Sequence, residues 1–275
     1  MCILISVFLF SLVHSDIALS FGERFYDKQL YDEAITEYKR YIFFNPHGEQ
    51  TSAAYSKIAL AYRNQQEWLS AIEAFRMAIL TAQSDSLRYE AELALAVTYI
   101  ANGNYSAAEL VLLKLEMTIP PQHIKQRAAF LRGIATLYAN KWDHAKEAFE
   151  AYFLSDPDPF LQAKVDSLIE ETKHFYYRSP ESARQLSMII PGLGQIYAGD
   201  WGNGINSFVL NGSMIAWMGY KVFNRYFSDA WVIYYFLFRR YYAGNMYNAA
   251  RIVEEKNEAL DKKQAERIIN LFLEE

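Results

Sequence analysis

Residues 59–75 read ALAYRNQQEWLSAIEAF. Ala59 and Tyr62 stand one helical step apart, as do Trp68 and Ala71, and Phe75 follows Ala71 by a full turn. The polar RNQQE between the two groups makes the stretch a helix, a turn and a second helix. A small residue on each helix lets the pair approach closely, and the aromatics fill the grooves beside that contact.

The same order returns at a fixed step. Ala34, Ala71, Ala108 and Ala145 are each 37 residues apart. Tyr38, Phe75, Leu112 and Phe149 follow them by one turn, and Tyr31, Trp68, Tyr105 and Trp142 precede them. On the preceding helix the small positions are Gly22, Ala59, Ala96 and Gly133, with Phe25, Tyr62 and Tyr99 after the first three. Pro46, Pro120 and Pro157 close three of the units, because proline cannot continue a helix, and Gln83 closes the other.

This small, aromatic, small, aromatic, proline order resembles the tetratricopeptide repeat. The resemblance implies an all-α solenoid over residues 16–157 with four repeats, or eight helices, which exceeds the roughly three repeats such arrays need. It implies that Gly22, Ala34, Tyr38, Ala59, Tyr62, Ala71, Phe75, Ala96, Tyr99, Ala108, Gly133, Ala145 and Phe149 are packing residues, and that the concave face takes a protein or peptide partner. The step of 37 is about three residues longer than the usual repeat, which places longer connections such as HGEQTS after Pro46.

A different composition begins at residues 186–204, LSMIIPGLGQIYAGDWGNG. No charge falls between Gln185 and Gly199, and after Asp200 none falls between Trp201 and Tyr220, so two apolar segments meet at a short turn as a helical hairpin. The first segment, about 14 residues at roughly 1.5 Å each, is shorter than a bilayer core of about 30 Å. It spans one only if tilted, locally thinned around or extended through Arg184. Pro191, Gly192 and Gly194 would end a helix in water, whereas a membrane tolerates such breaks where neighbours satisfy the backbone. Gly199, Gly202 and Gly204 read as a tight connection between close helices. A buried hairpin of a soluble domain is the alternative. A dinucleotide-binding turn is discounted, because the third small residue of that fingerprint would fall on Tyr197.

The run Pro191-Gly192-x-Gly194-Gln195-x-Tyr197-x-Gly199, followed by Gly204 and an apolar helix, resembles the TM2 domain, a small two-helix membrane module, and related bacterial proteins with a PGxGQxYxG signature. Tyr242-Ala243-Gly244-Asn245, with Tyr247 and Ala250, looks like a later YAGN segment in some of them. The likeness covers about 65 residues and lacks the histidine of the eukaryotic-type Gly-x-His-x-Phe-Tyr element. It implies insertion in a lipid bilayer and says little about chemistry; with the apolar run from about Ala230 counted beside it, the expectation is a helical membrane hairpin of two to three membrane helices.

The rest of the chain narrows the function further. Its 275 residues carry a net charge of −5 with 52% apolar and 16% aromatic residues, an acidity that argues against nucleic-acid binding. The one cysteine, Cys2, excludes an internal disulfide and a cysteine metal site. In residues 1–15 the apolar run Ile3 to Val13 has signal-peptide length and predicts export, with a buried N-terminal helix as the alternative. Asp156-Pro157-Asp158-Pro159 stops the array. Residues 158–178 then read as a capping and linker helix, residues 179–250 as a membrane domain and residues 251–275 as an amphipathic helix. A third membrane helix from about Ala230 is interrupted by Arg239-Arg240, an expensive pair inside a bilayer.

The five histidines lack ligand spacing, and neither a Gly-x-Ser-x-Gly elbow nor a phosphate-binding loop occurs, so no catalytic, cofactor or metal residue is assigned. Asn206, Ser207, Asn211 and Ser213 suit hydrogen bonds between helices better than a polar path. The expectation is a non-enzymatic repeat scaffold anchored in the bacterial inner membrane with its repeats on the periplasmic side. It would contact a protein or peptide and the lipid bilayer, and no nucleic acid. The alternatives are a soluble exported repeat protein of the outer-membrane assembly type, and a membrane enzyme or transport component.

Overall fold

The computed structural model of the chain describes residues 18–273, so the expected signal segment, residues 1–15 with Cys2, lies outside them. The regular elements among the described residues are all helical. The chain divides into two units, Met1–Ile169 and Glu170–Glu275.

The first unit begins with α1 (residues 18–27). It continues through α2 (Tyr31–Phe44), α3 (Thr51–Asn64), α4 (Trp68–Thr81), α5 (Asp85–Ala101), α6 (Tyr105–Met117), α7 (Gln122–Tyr138) and α8 (Trp142–Ser155). From α2 to α8 each helix packs on the next in sequence, and α3 meets α5 as α5 meets α7. Contacts confined to near neighbours are the mark of a helical solenoid. After the array, α9 (Pro159–Glu171) starts at Asp158, whose Oδ1 accepts the backbone N–H groups of Phe160 and Leu161 at 2.9 Å.

The turn inside each pair repeats with the same step. Gln29, Gln66, Gly103 and Asn140 take left-handed φ angles of 61°, 62°, 74° and 57°. At each turn the next residue donates back to the helix it has just left: Leu30 to Phe25, Glu67 to Tyr62, Asn104 to Tyr99 and Lys141 to Thr136, at 2.8 to 2.9 Å. That six-to-one bond closes an orphan carbonyl and reverses the chain. Only one of the four positions is glycine, so the other three carry the cost of a left-handed side chain for the sake of the reversal.

Packing across each pair follows from residue size. Ala34, Ala59, Ala71, Ala96, Ala108 and Ala145 are wholly buried, as are Tyr38, Phe75 and Leu112, with Phe149 nearly so. At Gly133 even a methyl group has no room, because a Cβ there would fall 2.6 Å from Cε1 of Phe149. Gly22 stands in the same relation to Tyr38. Charge is buried too: Arg132 on α7 pairs with Glu116 on α6 at 3.0 and 3.2 Å and reaches Glu147 on α8 at 3.5 Å. Glu109 accepts from Lys141 at 2.6 Å and meets His144 Nδ1 at 2.7 Å. Burial alone would raise the Glu109 pKa, but these two partners hold it below the usual carboxylate range.

In the second unit come α10 (Pro180–Ile189), α11 (Leu193–Tyr197), α12 (Trp201–Phe223), α13 (Phe227–Val232), a π-helical segment Ile233–Phe238 and α14 (Arg239–Leu271). The last three run on without a break. The segment 251–275, read from the sequence as a separate amphipathic helix, is therefore, as far as Leu271, the far part of a rod that starts among aromatic residues. α14 packs along α10, and short α11 touches α10, α12 and α14. The apolar stretch from Gln185 to Gly199 is not one helix. It breaks between α10 and α11 because Gly192 takes φ 95°, and a Cβ there would fall 2.1 Å from the Gly204 carbonyl oxygen.

Among the described residues no helix is both long and apolar enough to cross a membrane. At 23 residues, about 34 Å, α12 matches a bilayer core in length. Its hydropathy is diluted by Asn203, Asn206, Asn211 and Lys221. The uncharged run from Ala230 to Phe238 ends in Arg239 and Arg240 after about two and a half turns. The hairpin of membrane helices expected from the sequence is therefore not supported: its first arm is two short helices, α10 and α11, and neither they nor α12 meet the length and apolarity of a crossing.

Candidate functional site

The array offers two chemically distinct surfaces. Between the first helices of successive pairs the side chains are polar and already partnered: Lys57 to Glu23 at 2.9 Å, Arg127 to Glu90 at 2.7 Å and Asn64 to the Tyr26 hydroxyl at 3.0 Å. Lys39 donates to the Tyr62 hydroxyl at 3.0 Å, and 37 residues on, Arg76 donates to that of Tyr99 at 2.9 Å.

At the C-terminal ends of α2, α4, α6 and α8 the surface changes. There Phe43, Leu80, Met117 and Leu154 are 79%, 77%, 81% and 84% exposed. These four also share the 37-residue step. Scattered apolar exposure needs no explanation, but a large apolar side chain at the same place in every repeat forms a recurrent surface.

The second unit is built around a buried polar relay. The Gly194 N–H donates to Ser187 Oγ at 3.0 Å, and that hydroxyl donates to Gln195 Oε1 at 3.0 Å. Gln195 Nε2 then donates to the Asn245 carbonyl at 3.1 Å and to Asn245 Oδ1 at 2.5 Å. Ser187 and Gln195 are completely buried, so the relay ties α10, α11 and α14 in a place water does not reach. Tyr242 adds a hydrogen bond to the Met188 carbonyl. The outside is the reverse: Trp201, Phe208, Trp217, Phe223, Trp231 and Phe236 are all exposed.

The residues of the PGxGQxYxG run occupy this junction in different ways. Pro191 and Gly192 make the bend between α10 and α11, Gly194 lies against the Ala183 carbonyl, and Gly204 packs on Ile196. The Tyr197 hydroxyl accepts the Ser179 N–H at 3.2 Å. Gly199, with φ 80°, ends α11, where the Asp200 N–H reaches the Gln195 carbonyl at 2.8 Å. Asp200 in turn caps α12: hydrogen bonds from the Asn203 side chain at 2.7 Å and backbone at 3.1 Å hold its carboxyl below the usual range.

One expectation is corrected here. Asn211 and Ser213 do not bond between helices, because each donates to a carbonyl of its own helix, Ser207 at 2.8 Å and Val209 at 2.6 Å. The pairing of Gln195 with Asn245 is not legible in the sequence. Its one visible signal is an amide in the middle of each of two apolar, glycine-marked runs. Among the described residues no group of three His, Cys, Asp or Glu side chains could hold a metal ion.

No protein-family model matches this chain, and no curated protein sequence is significantly similar to it. Solved structures do resemble it. A tetratricopeptide repeat protein from Parabacteroides merdae ATCC 43184 aligns over 94% of this chain and 99% of its own, with a TM-score of 0.50 and 15% identity. A TPR repeats protein from Bacteroides fragilis NCTC 9343 covers 94% of this chain and 98% of its own at 11% identity and a TM-score of 0.36. The first likeness shows the fold: an all-α array of tetratricopeptide-type repeats.

Proposed function

We propose that this protein is a non-enzymatic adaptor of the bacterial cell envelope, whose array holds a protein partner and whose second unit seats on a lipid bilayer. The observation that carries this reading is large apolar surface left in water in both units. In the array it is the Phe43, Leu80, Met117 and Leu154 row, which suits a protein segment presenting apolar side chains along the repeats. In the second unit it is the outer face of α12 and the π-helical segment. Trp and Tyr there belong with the headgroup boundary, and Lys221, Arg225, Arg239 and Arg240 stand at the ends of the apolar runs, as on lipid-facing elements.

Two experiments test the two halves. A photo-crosslinking residue placed at Leu80 or Met117 in living cells should give discrete protein adducts of the same size, and one at exposed Glu73 should not. Adducts at Glu73 alone would remove the partner surface. The full chain should float with phosphatidylcholine vesicles, and failure to float with any vesicle would remove the bilayer half. The location follows from the expected export of the N-terminus: a cysteine at Glu49 in a Cys2-free background should label with an impermeant reagent while the inner membrane is intact. Labelling only after lysis would place the repeats in the cytoplasm.

A further inference from the structure

Three segments of the second unit converge at the end of α11. Arg178, shortly before α10, is clamped to α14 through both of its backbone groups: its N–H donates to Asn257 Oδ1 at 3.3 Å, and its carbonyl accepts from Asn257 Nδ2 at 2.9 Å. The clamp brings it to Lys256, the residue before Asn257. The Tyr197 ring lies 5.9 Å from the Arg178 guanidinium, and its hydroxyl accepts the neighbouring Ser179 N–H, so the arginine is braced from two sides.

The two cations meet over Gly199. A Cβ on that residue would fall 3.0 Å from Arg178 Nη1 and 3.3 Å from Lys256 Nζ, so both charged ends lie at hydrogen-bond distance from one point. Gly199 takes φ 80°, a conformation that favours glycine, and the space between the cations stays open. Two like charges repel, so such a pair calls for an anion between them. The carboxylate that acts on Lys256 is committed elsewhere: Asp200 accepts the Asn203 backbone and side-chain N–H groups at 3.1 and 2.7 Å and stands beyond ion-pair distance from the lysine. Among the described residues neither charged end has a hydrogen-bonded or ion-paired partner.

We propose that Arg178 and Lys256 bind a phosphate monoester over Gly199, two of its oxygens accepting from Nη1 and Nζ. A monoester carries about 1.5 to 2 negative charges near neutral pH and has three terminal oxygens, so one group bridges both cations and keeps an oxygen in water. A carboxylate or a phosphate diester brings a single charge and no third terminal oxygen. The chemistry is shared by soluble phosphate esters and by the headgroup of phosphatidic acid. Exposed Trp201, two residues past Gly199, suits the lipid source, because tryptophan belongs at the headgroup boundary. That source rests on the bilayer reading, and the soluble source does not.

Three variants remove the site in different ways. Arg178→Gln and Lys256→Gln each delete one cation. Gly199→Asp sets a carboxylate between the two, and aspartate is among the few residues found at a left-handed φ. Lys263→Gln, at an exposed position seven residues past Lys256 on α14, removes the same charge away from the site. The full chain is titrated with glycerol phosphate by calorimetry. In a second arm it is floated with phosphatidylcholine vesicles containing about one-fifth phosphatidic acid, or phosphatidylglycerol adjusted to equal surface charge. The expected result is saturable binding of glycerol phosphate, at least roughly tenfold weaker in Arg178→Gln and in Lys256→Gln, lost in Gly199→Asp and unchanged in Lys263→Gln. A preference for phosphatidic acid over phosphatidylglycerol that disappears in the same three variants assigns the lipid source. Ester binding without that preference assigns the soluble source. Equal weakening by Lys263→Gln is surface charge alone and overturns the proposal, as does displacement of the ester by an equal concentration of acetate. So does the absence of both saturable ester binding and a phosphatidic acid preference. If Gly199→Asp does not fold, the two glutamine variants decide. If no vesicle binds, the bilayer reading fails, and the titration still decides the site.

Discussion

At Gly133 the array leaves no space for a methyl group, and the consequence can be worked through. A Cβ on that residue would lie 2.6 Å from Cε1 and 2.7 Å from Cζ of Phe149. That is about 1 Å inside the ordinary separation of carbon atoms. Phe149 is 1% exposed and meets Phe130 edge-on at 6.5 Å, so it cannot swing aside without emptying the core. Overpacking of this kind costs about 1–3 kcal/mol, against about 1 kcal/mol gained when alanine replaces glycine within a helix. The net expectation for Gly133→Ala is a loss of about 1 kcal/mol, or roughly 2–4 °C in Tm for a chain of this size. The other repeats show how a methyl is seated at this register: the second carries Ala59 with Phe75, and the third carries Ala96 with the smaller Leu112. Phe149→Leu alone should lose about 1–2 kcal/mol. The double variant copies the third repeat and should recover at least about 1 kcal/mol relative to the sum of the two singles. Thermal unfolding of the full chain followed by circular dichroism, with Glu73→Ala as a surface control, reads all four. A rise in Tm for Gly133→Ala, or strict additivity in the double variant, would refute the tight crossing.

Three further outcomes are expected. Arg132→Ala should cost about 3 kcal/mol, because it strands Glu116 against a buried site, while Arg132→Met combined with Glu116→Leu should recover most of that loss; denaturant midpoints decide it. The folded-state pKa of Glu109 is depressed, so its stabilising contribution is present above its ordinary value of 4.5 and is lost as pH falls through the lower folded value. Glu109→Gln should accordingly flatten acid unfolding below pH 4.5 and make the protein less stable at pH 7, and an unchanged acid limb would contradict this. Gly103→Val should lose about 1–2 kcal/mol although a Cβ there touches nothing within 4 Å, because the penalty lies in φ 74°; a Tm equal to the parent's would show that the turn relaxes.

The array was legible because a solenoid makes its contacts between near neighbours, so its geometry is written at a fixed step along the chain. What stayed hidden in it was chemically disguised. The left-handed turn falls on Gln29, Gln66, Gly103 and Asn140, and three of those four give no glycine signal. The exposed row is Phe43, Leu80, Met117 and Leu154, four different side chains that look like core positions on a helix until burial is known. The second unit resisted reading for another reason. The bend at Gly192 brings Ser187 to Gln195 eight residues on, but Gln195 meets Asn245 across 50 residues, and no local pattern encodes a pairing of that range. The spanning expectation leaned on the absence of charge, and absence of charge is weaker than apolarity: α12 lacks charge over most of its length yet carries three asparagines.

The arrangement of polarity in the second unit is inverted relative to a fold stabilised by water. Its closest-packed junction holds Ser187, Gln195 and Asn245 beside small apolar residues such as Ala183 and Ala249, while tryptophan and phenylalanine stand outside. In water, burying amides gains little and exposing aromatics loses the main favourable term of folding, so such a unit would be marginal by itself. Against an apolar surrounding the balance changes sign: the amides must be satisfied internally because no solvent will do it, and the aromatics lose nothing by facing outward. The relay from Gly194 to Asn245 is then the element that holds α10, α11 and α14 together, the task that hydrophobic packing performs in the array.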